Sequence, residues 1–267
     1  MCEARQSIAV LRERLRRGDI GVKELRRLGR DPRLGVRALA KAERRRLQAR
    51  ELEQGRLTGM LEHESTLWDR GLVRIAGVDE VGAGPLAGPV VAAAVILSPG
   101  ASFEEIDDSK KLSAEQRERL SAEIREQAVA FAVGECSPLE IDCLNILQAA
   151  REAMRRAVAG LPKAPQHLLV DARSIPDVEA PQTSLIRGDS RSQSIAAASI
   201  IAKVERDRLM ARLAHTYPEY GFDRHRGYGT PEHLAALQRH GPCPIHRYSF
   251  SPVAKAARES GPPQVVR

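Results

Sequence analysis

The sequence predicts an α/β protein: a mixed five-stranded sheet flanked by helices, with a small helical N-terminal extension. Three observations carry this expectation. Two short apolar runs, at residues 75–78 and 90–97, flank a Gly- and Pro-rich turn and read as a hairpin of strands. Strand and helix patterns then follow one another to residue 210, which calls for antiparallel pairing first, parallel pairing later, and helices on the sheet faces. The 267 residues suffice for one large core plus an appendage.

Residues 7–71 space leucines at helical intervals, Leu11 and Leu15, Leu25 and Leu28, then Leu34, Leu39 and Leu47, with arginines between them. Gly18, Gly21, Gly29, Asp31-Pro32 and Gly55 divide the stretch into short helices, and residues 43–67 form a longer one leading onward. Trp68 is its one aromatic residue, so little core can be built there. The main domain opens near Leu72 with the hairpin. Residues 101–112 are a loop, and Ser113 with Gln116 has capping-box spacing ahead of a helix to Gln127. Residues 128–134 read as a third strand. Pro138 stands at a first helical position, and Ile141, Leu144, Leu147, Ala150, Met154 and Val158 keep the helical period to Gly160. Residues 167–170 form a strand ending at Asp171, and residues 183–187 form another that closes on Gly188-Asp189. A long helix runs from Ser194 to Met210, its first half made of small residues that let it approach a sheet closely. Thr230-Pro231 caps a further helix that stops near Gly241. The expected division is a basic extension over 1–71, a main domain over 72–252 and a tail over 253–267.

No apolar segment approaches the ~20 residues of a membrane span. The N-terminus carries Glu3, Arg5, Arg12 and Glu13 where a signal peptide needs an apolar block, so the expectation is a cytoplasmic protein without a membrane partner. Cys2, Cys136, Cys143 and Cys243 form no C-x-x-C pair. Cys243-Pro-Ile-His246 has the spacing of half a zinc site, the second half is missing, and packing or incidental exposure is expected instead. Residues 1–70 hold 18 Lys and Arg against 11 Asp and Glu, whereas the rest balances at 24 of each. The whole net charge of +7 therefore lies in the N-terminal quarter, which suggests a polyanionic partner.

Asp79 and Glu80 end the first strand, and Asp171 and Asp189 end or follow later apolar runs. Parallel strands that end at one sheet edge bring such acids together. An oxygen-only set without His or Cys suits a hard divalent cation, magnesium or manganese, and two such ions can activate a water and stabilise the leaving oxygen of a phosphodiester. Side chains alternate along a strand, so Asp79 and Glu80 share a site only if the strand bends or ends between them; the break is expected at residues 81–85.

The blocks Gly77-Val-Asp-Glu-Val-Gly, Pro85-Leu-Ala-Gly-Pro-Val-Val, Asp108-Ser-Lys-Lys-Leu, Val170-Asp, Gly188-Asp, Ser194-Ile-Ala-Ala-Ala-Ser-Ile-Ile-Ala-Lys-Val, Gly227-Tyr-Gly-Thr and His246-Arg-Tyr-Ser-Phe resemble bacterial ribonuclease HII, in that order, over residues 72–252. The resemblance implies a ribonuclease H-like fold and a metal-dependent endonuclease. Its substrates would be RNA–DNA hybrids and single ribonucleotides embedded in duplex DNA, with a role in ribonucleotide excision repair. Cleavage on the 5′ side of the ribonucleotide would leave 3′-hydroxyl and 5′-phosphate ends. By position, Asp79, Glu80, Asp171 and Asp189 become the catalytic, metal-binding acids, holding Mn2+ or Mg2+ in a two-metal site. The related ribonuclease HIII has glutamate as its fourth acid, so Asp189 favours type HII. Tyr228 matches the tyrosine that packs on the sugar beside the ribonucleotide.

The family tripeptide Gly-Arg-Gly is here Gly82-Ala83-Gly84. In the family this loop reads the ribose 2′-hydroxyl largely through its backbone, and both glycines are kept. Lys110 and Lys203 are candidate substrate contacts, with Lys111, Arg187, Arg191, Arg224 and Arg226 as further phosphate contacts. His225, His233, His240 and His246 form no metal pattern and are assigned to capping, packing or the phosphate side. The extension resembles that of some bacterial family members, Asp31-Pro-Arg-Leu-Gly-Val being its best motif, and it is expected to help hold nucleic acid. A monomer is expected. Rival readings are a non-catalytic nucleic-acid-binding protein, against which stand the four acids, and a related nuclease acting on DNA alone, against which stand the kept glycines and Tyr228.

Overall fold

The structure is a computed structural model and describes residues 6–260. Cys2, Glu3, Arg5 and residues 261–267 of the expected tail lie outside the described residues. The chain divides into two compact units, Met1–Thr58 and Gly59–Arg267.

The first unit contains α1 (Ile8–Arg17), α2 (Val22–Leu28) and nearly all of α3 (Leu34–Gly59). Ser7 caps α1 through the Val10 amide, and Gly18 closes it. Leu11, Leu15, Leu25, Leu28, Val36 and Ala40 form a small core of their own, the leucines being those picked out by helical spacing. Gly55 sits inside α3 rather than ending it.

The second unit begins with α4 (Glu62–Trp68), followed by β1 (Ile75–Val81), β2 (Val90–Ile96), α5 (Ala114–Gln127) and β3 (Ala130–Cys136). Then come α6 (Pro138–Leu144), α7 (Ile146–Ala159), β4 (His167–Asp171), β5 (Gln182–Leu185), α8 (Gln193–Thr216), α9 (Phe222–His225), α10 (Pro231–His240) and α11 (Ser251–Ser260). The sheet order is β3-β2-β1-β4-β5, antiparallel across β3, β2 and β1 and parallel across β1, β4 and β5. This is the expected mixed sheet. The capping box at Ser113 is also present.

The differences have local causes. The helical period over 138–160 is broken at Asn145, whose φ of 68° ends α6 and whose side chain caps the start of α7. Residues 59–71, expected in the extension, belong to the second unit. Leu67 packs with Ile75, Leu169, Leu185 and Ile195, and the buried Glu64 accepts hydrogen bonds from Ser192 Oγ (2.6 Å) and the Ser194 amide (3.0 Å) at the start of α8. The expected tail is in part α11, whose Val253 and Ala256 are buried against Leu86 and Leu237.

Two layers cover the sheet. Even-numbered β1 residues Ala76 and Val78 face α7 with Ala149, Ala153 and Met154, while Ile75 faces α8 with Leu169 and Ile195. α8 lies so close to β1 that a β-carbon on Gly77 would fall on the Ser194 carbonyl. The small residues of α8 and this glycine together let the helix backbone run over the strand that carries the acids.

Candidate active site

Val78 pairs with Val170 across the parallel strands, so Asp79 stands level with Asp171 at the same sheet edge. Asp171 Oδ1 accepts a hydrogen bond from the Gly188 amide (2.7 Å), which ties β4 to the 3-10 turn Gly188–Ser190 that carries Asp189. Asp79 is hydrogen-bonded by Ser199 of α8, and Ser199 Oγ lies 2.9 Å from Ser109 Oγ. The 108–112 loop is thereby drawn to the acids. Burial first, and then the Glu80 charge, hold the Asp79 carboxyl well above the usual carboxylate range; Ser199 opposes the shift and Asp171 and Asp189 add to it. Asp189 is raised by burial and by neighbouring Asp108 and Asp171.

Strand β1 does not break between the first two acids. It runs on to Val81, with Asp79 opposite Ala93 and Glu80 opposite Ala92. Alternation therefore places Asp79 on the α8 face and Glu80 on the other, where its Oε1 lies 3.6 Å from Arg173. Glu80 still feels the Asp171 charge because both stand at the end of the sheet, and burial raises its pKa while Arg173 opposes. Among the described residues, no three His, Cys, Asp or Glu side chains are already gathered closely enough to hold a metal ion. The donor chemistry nevertheless fits a hard cation. The set is all oxygen, the Asp79, Glu80 and Asp189 carboxyls are raised by burial and by neighbouring acids, and the buried Glu80 Oε2 has no hydrogen-bond partner.

Lys110 is brought to this cluster: burial works against its cation, but Asp108, Asp79, Asp189 and Asp171 outweigh it and raise its pKa. Lys203 goes elsewhere, to a 2.7 Å ion pair with Asp207, beside which Arg117 and Arg226 each lie 3.9 Å away. Lys111 pairs with Asp107 (2.9 Å) and Arg224 with Glu232.

The 82–89 loop closes the same end of the sheet. Gly82 has φ of 93°, and a β-carbon there would run into Arg206. A β-carbon on Gly84 would stand 3.7 Å from the ring of Tyr228, which is 41% exposed, so the tyrosine and the tripeptide line one surface. Behind the loop lie two fully buried arginines that donate only to carbonyls. Arg247 reaches Gly82 (2.6 Å), Ala83 (3.0 Å) and Gly88 (2.9 Å); Arg206 reaches Ala87 (3.1 Å), Pro89 (3.0 Å) and Arg226 (3.0 Å). Burial pushes Arg247 down to about 9 and Arg206 down to about 10.

Three histidines support Tyr228 from below. The Cys243 amide donates to His246 Nδ1 (3.0 Å), so the His246 proton sits on Nε2 and points to His233 Nε2 (3.1 Å). His233 Nδ1 then donates to the Tyr228 carbonyl (2.9 Å), while His225 stacks on His233 at 4.5 Å. Every proton in this chain is accounted for with neutral rings. Burial, aided by His233, pushes His246 down to about 3. Of the roles expected, capping, packing or the phosphate side for the histidines and packing or incidental exposure for Cys243, packing is the one that His233, His246 and Cys243 show.

Asp108, Ser199, Arg173, Arg206 and Arg247 were not singled out by the sequence. Asp108, Ser199 and Arg247 stood inside quoted blocks, but only the chain path brings Asp108 and Ser199 to the acids and Arg247 to the loop behind them.

An oxygen-rich edge on a mixed sheet of this order, crossed by a close-packed helix, defines the ribonuclease H-like class. The ribonuclease HII family profile matches residues 76–253, and that of the ribonuclease HII N-terminal domain matches residues 7–68. The ribonuclease HII of Desulfitobacterium hafniense is 52% identical over 229 residues, covering 86% of this chain and 88% of that protein. The crystal structure of ribonuclease H2 from Pyrococcus horikoshii superposes with a TM-score of 0.59 at 28% identity, covering 69% of this chain and 97% of that one. Bst-RNase HIII in complex with Mn2+ shares the fold, with a TM-score of 0.51 at 20% identity and 68% of each chain covered. The chain belongs to the ribonuclease HII family: it is a hydrolase, a ribonuclease H of type HII.

Proposed function

We propose that this ribonuclease H is a divalent-metal-dependent endonuclease that cuts the RNA strand of RNA–DNA hybrids and cuts at single ribonucleotides in duplex DNA, leaving 3′-hydroxyl and 5′-phosphate ends. The observation that carries the reading is the level placement of Asp79 and Asp171 at one sheet edge, with Asp189 tied to them through the Gly188 amide. Asp79, Glu80, Asp171 and Asp189 would hold Mg2+ or Mn2+, and the Mn2+ complex of Bst-RNase HIII shows that a protein of this fold takes such an ion. When bound, the metal supplies charge neutralisation for the phosphodiester and activation of the attacking water.

The chain's own residues orient the substrate. The 82–84 backbone meets the ribose 2′-hydroxyl, and the exposed face of Tyr228 packs on the neighbouring sugar. Lys110, already held by the acid field, would meet the scissile phosphate. Lys203 is less suited, because Asp207 engages it. The basic extension adds sequence-independent phosphate contacts.

The test is a DNA duplex with one embedded ribonucleotide and an all-DNA control, each incubated with Mg2+ or Mn2+ and with chelator. A single cut 5′ to the ribonucleotide is expected, with a 3′ end that a polymerase extends. Equal cutting of the control, or cutting with chelator present, would contradict the reading.

A further inference from the structure

Arg247 sits in a segment fastened at several points to the 82–89 loop. Its amide donates to the Leu86 carbonyl (2.9 Å), and the Gly88 amide donates to Ile245 (2.8 Å). The Asp142 carboxylate accepts the Tyr248 and Ser249 amides, both at 2.8 Å, and so fixes the turn that follows Arg247. The guanidinium also lies 5.2 Å from the centre of the Phe250 ring. A cation buried this deeply without a carboxylate is costly to desolvate, so what it holds must matter to the fold or to the site.

It holds the carbonyls of the two consecutive residues Gly82 and Ala83. In a trans peptide the C=O of one residue and the N–H of the next point in opposite directions. Both carbonyls are turned inward to one guanidinium, so the Ala83 and Gly84 amides are turned away from it together, in a loop that Tyr228 flanks at Gly84. Two adjacent N–H groups facing the same way make a small concave donor site. A planar fork can hold both carbonyls at once; a lysine ammonium at the same place is a single point.

We propose that Arg247 is a specificity-positioning residue: its fork sets the paired Ala83 and Gly84 amides that donate to the oxygen of the ribose 2′-hydroxyl. The inference rests on the proposed function, in which this loop reads the ribose. Arg206 plays a different part, joining the loop stem at Ala87 and Pro89 to Arg226, two residues before Tyr228.

The experiment compares kcat and KM on two duplexes, one with a single ribonucleotide and one with a 2′-fluoro nucleotide there, a poor acceptor of similar size. The full chain is used with Mn2+, as parent, Arg247→Lys and Asp142→Asn. The parent should prefer the ribonucleotide strongly, since sites built to bond a hydroxyl reject analogues lacking it. Arg247→Lys should compress that preference roughly tenfold or more through kcat on the ribonucleotide, with KM little changed because phosphate contacts set duplex affinity. Asp142→Asn, which leaves the core arginine in place, should compress it less, in the same direction. Should Arg247→Lys fail to fold, Asp142→Asn alone decides. An equal fall on both substrates, or full preference kept, would show the arginine to be structural only and overturn the inference. A parent without ribonucleotide preference would overturn the reading of the loop, and this inference with it.

Discussion

The acid edge of β1 and β4 and the arginine pair behind the 82–89 loop are both buried charges in one domain, yet they are partnered in opposite ways. Arg206 and Arg247 place six hydrogen bonds on backbone carbonyls, and those bonds offset desolvation. Asp79, Glu80 and Asp189 have carboxyls raised by burial and by neighbouring acids, Glu80 keeps an unpartnered buried oxygen, and Arg173 and Lys110 oppose this charge. Charge satisfied within the chain holds a shape. Charge left unsatisfied waits for a ligand, and the comparison separates positioning from chemistry without reference to any relative.

The sharpest way to break the comparison is Asp79→Asn. It keeps the shape but removes a ligand charge, and should lower cleavage on the order of 10³-fold or more while the fold survives. Retained activity, measured under single-turnover conditions, would remove the acid edge from the chemistry.

Next comes Arg206→Met, which leaves three buried carbonyls without donors. Urea melts should show a loss of roughly 2–5 kcal/mol. An unchanged midpoint would mean that the loop does not depend on its clamp.

A smaller effect concerns the histidine chain. Folded His246 stays neutral down to about pH 3, whereas the unfolded residue takes up a proton near its ordinary 6.5. The unfolded state binds more protons in that window, so this stabilisation is complete above about pH 6.5 and is lost as pH falls toward 3, at up to ~1.4 kcal/mol per pH unit. His233, also lowered by burial, acts in the same direction, while the raised site acids act in the opposite one. His246→Asn, with an amide oxygen to accept from Cys243, should flatten the fall in stability between pH 6.5 and 4.5. An unaltered slope would place the acid sensitivity elsewhere.

The smallest expected effect is at Ala83, a half-buried position whose carbonyl, not its side chain, is held by the protein. Ala83→Arg should raise affinity for hybrid and chimeric duplexes alike, a few-fold, because a guanidinium there adds phosphate contact. A large gain in ribonucleotide preference would contradict backbone reading of the sugar.

The strands, their antiparallel and then parallel pairing, and the acids at their ends were legible because each rests on local signals: apolar runs bounded by Gly and Pro, with acids closing them. What was not legible is what depends on the path of the chain. Asn145 interrupts a good helical period through its own backbone conformation. Glu64 reads as an acid of the basic extension, yet it is buried at the start of α8, because α4 folds onto the sheet rather than with the helices before it. Arg206 and Arg247 look like surface cations in sequence; nothing local announces that five of their six partners are carbonyls more than 100 residues away. The opposite faces of Asp79 and Glu80 follow from strand alternation alone, but the continuation of β1 through Val81 does not.

The most direct measurement of the central claim is thermal unfolding of the parent and of Asp79→Asn across a titration with Mn2+. If the acid edge is uncompensated charge awaiting a cation, Mn2+ raises the parent's melting temperature saturably, and the variant melts higher than the parent without metal while gaining much less from it. A parent indifferent to Mn2+, or a variant that melts lower without metal, would contradict the account.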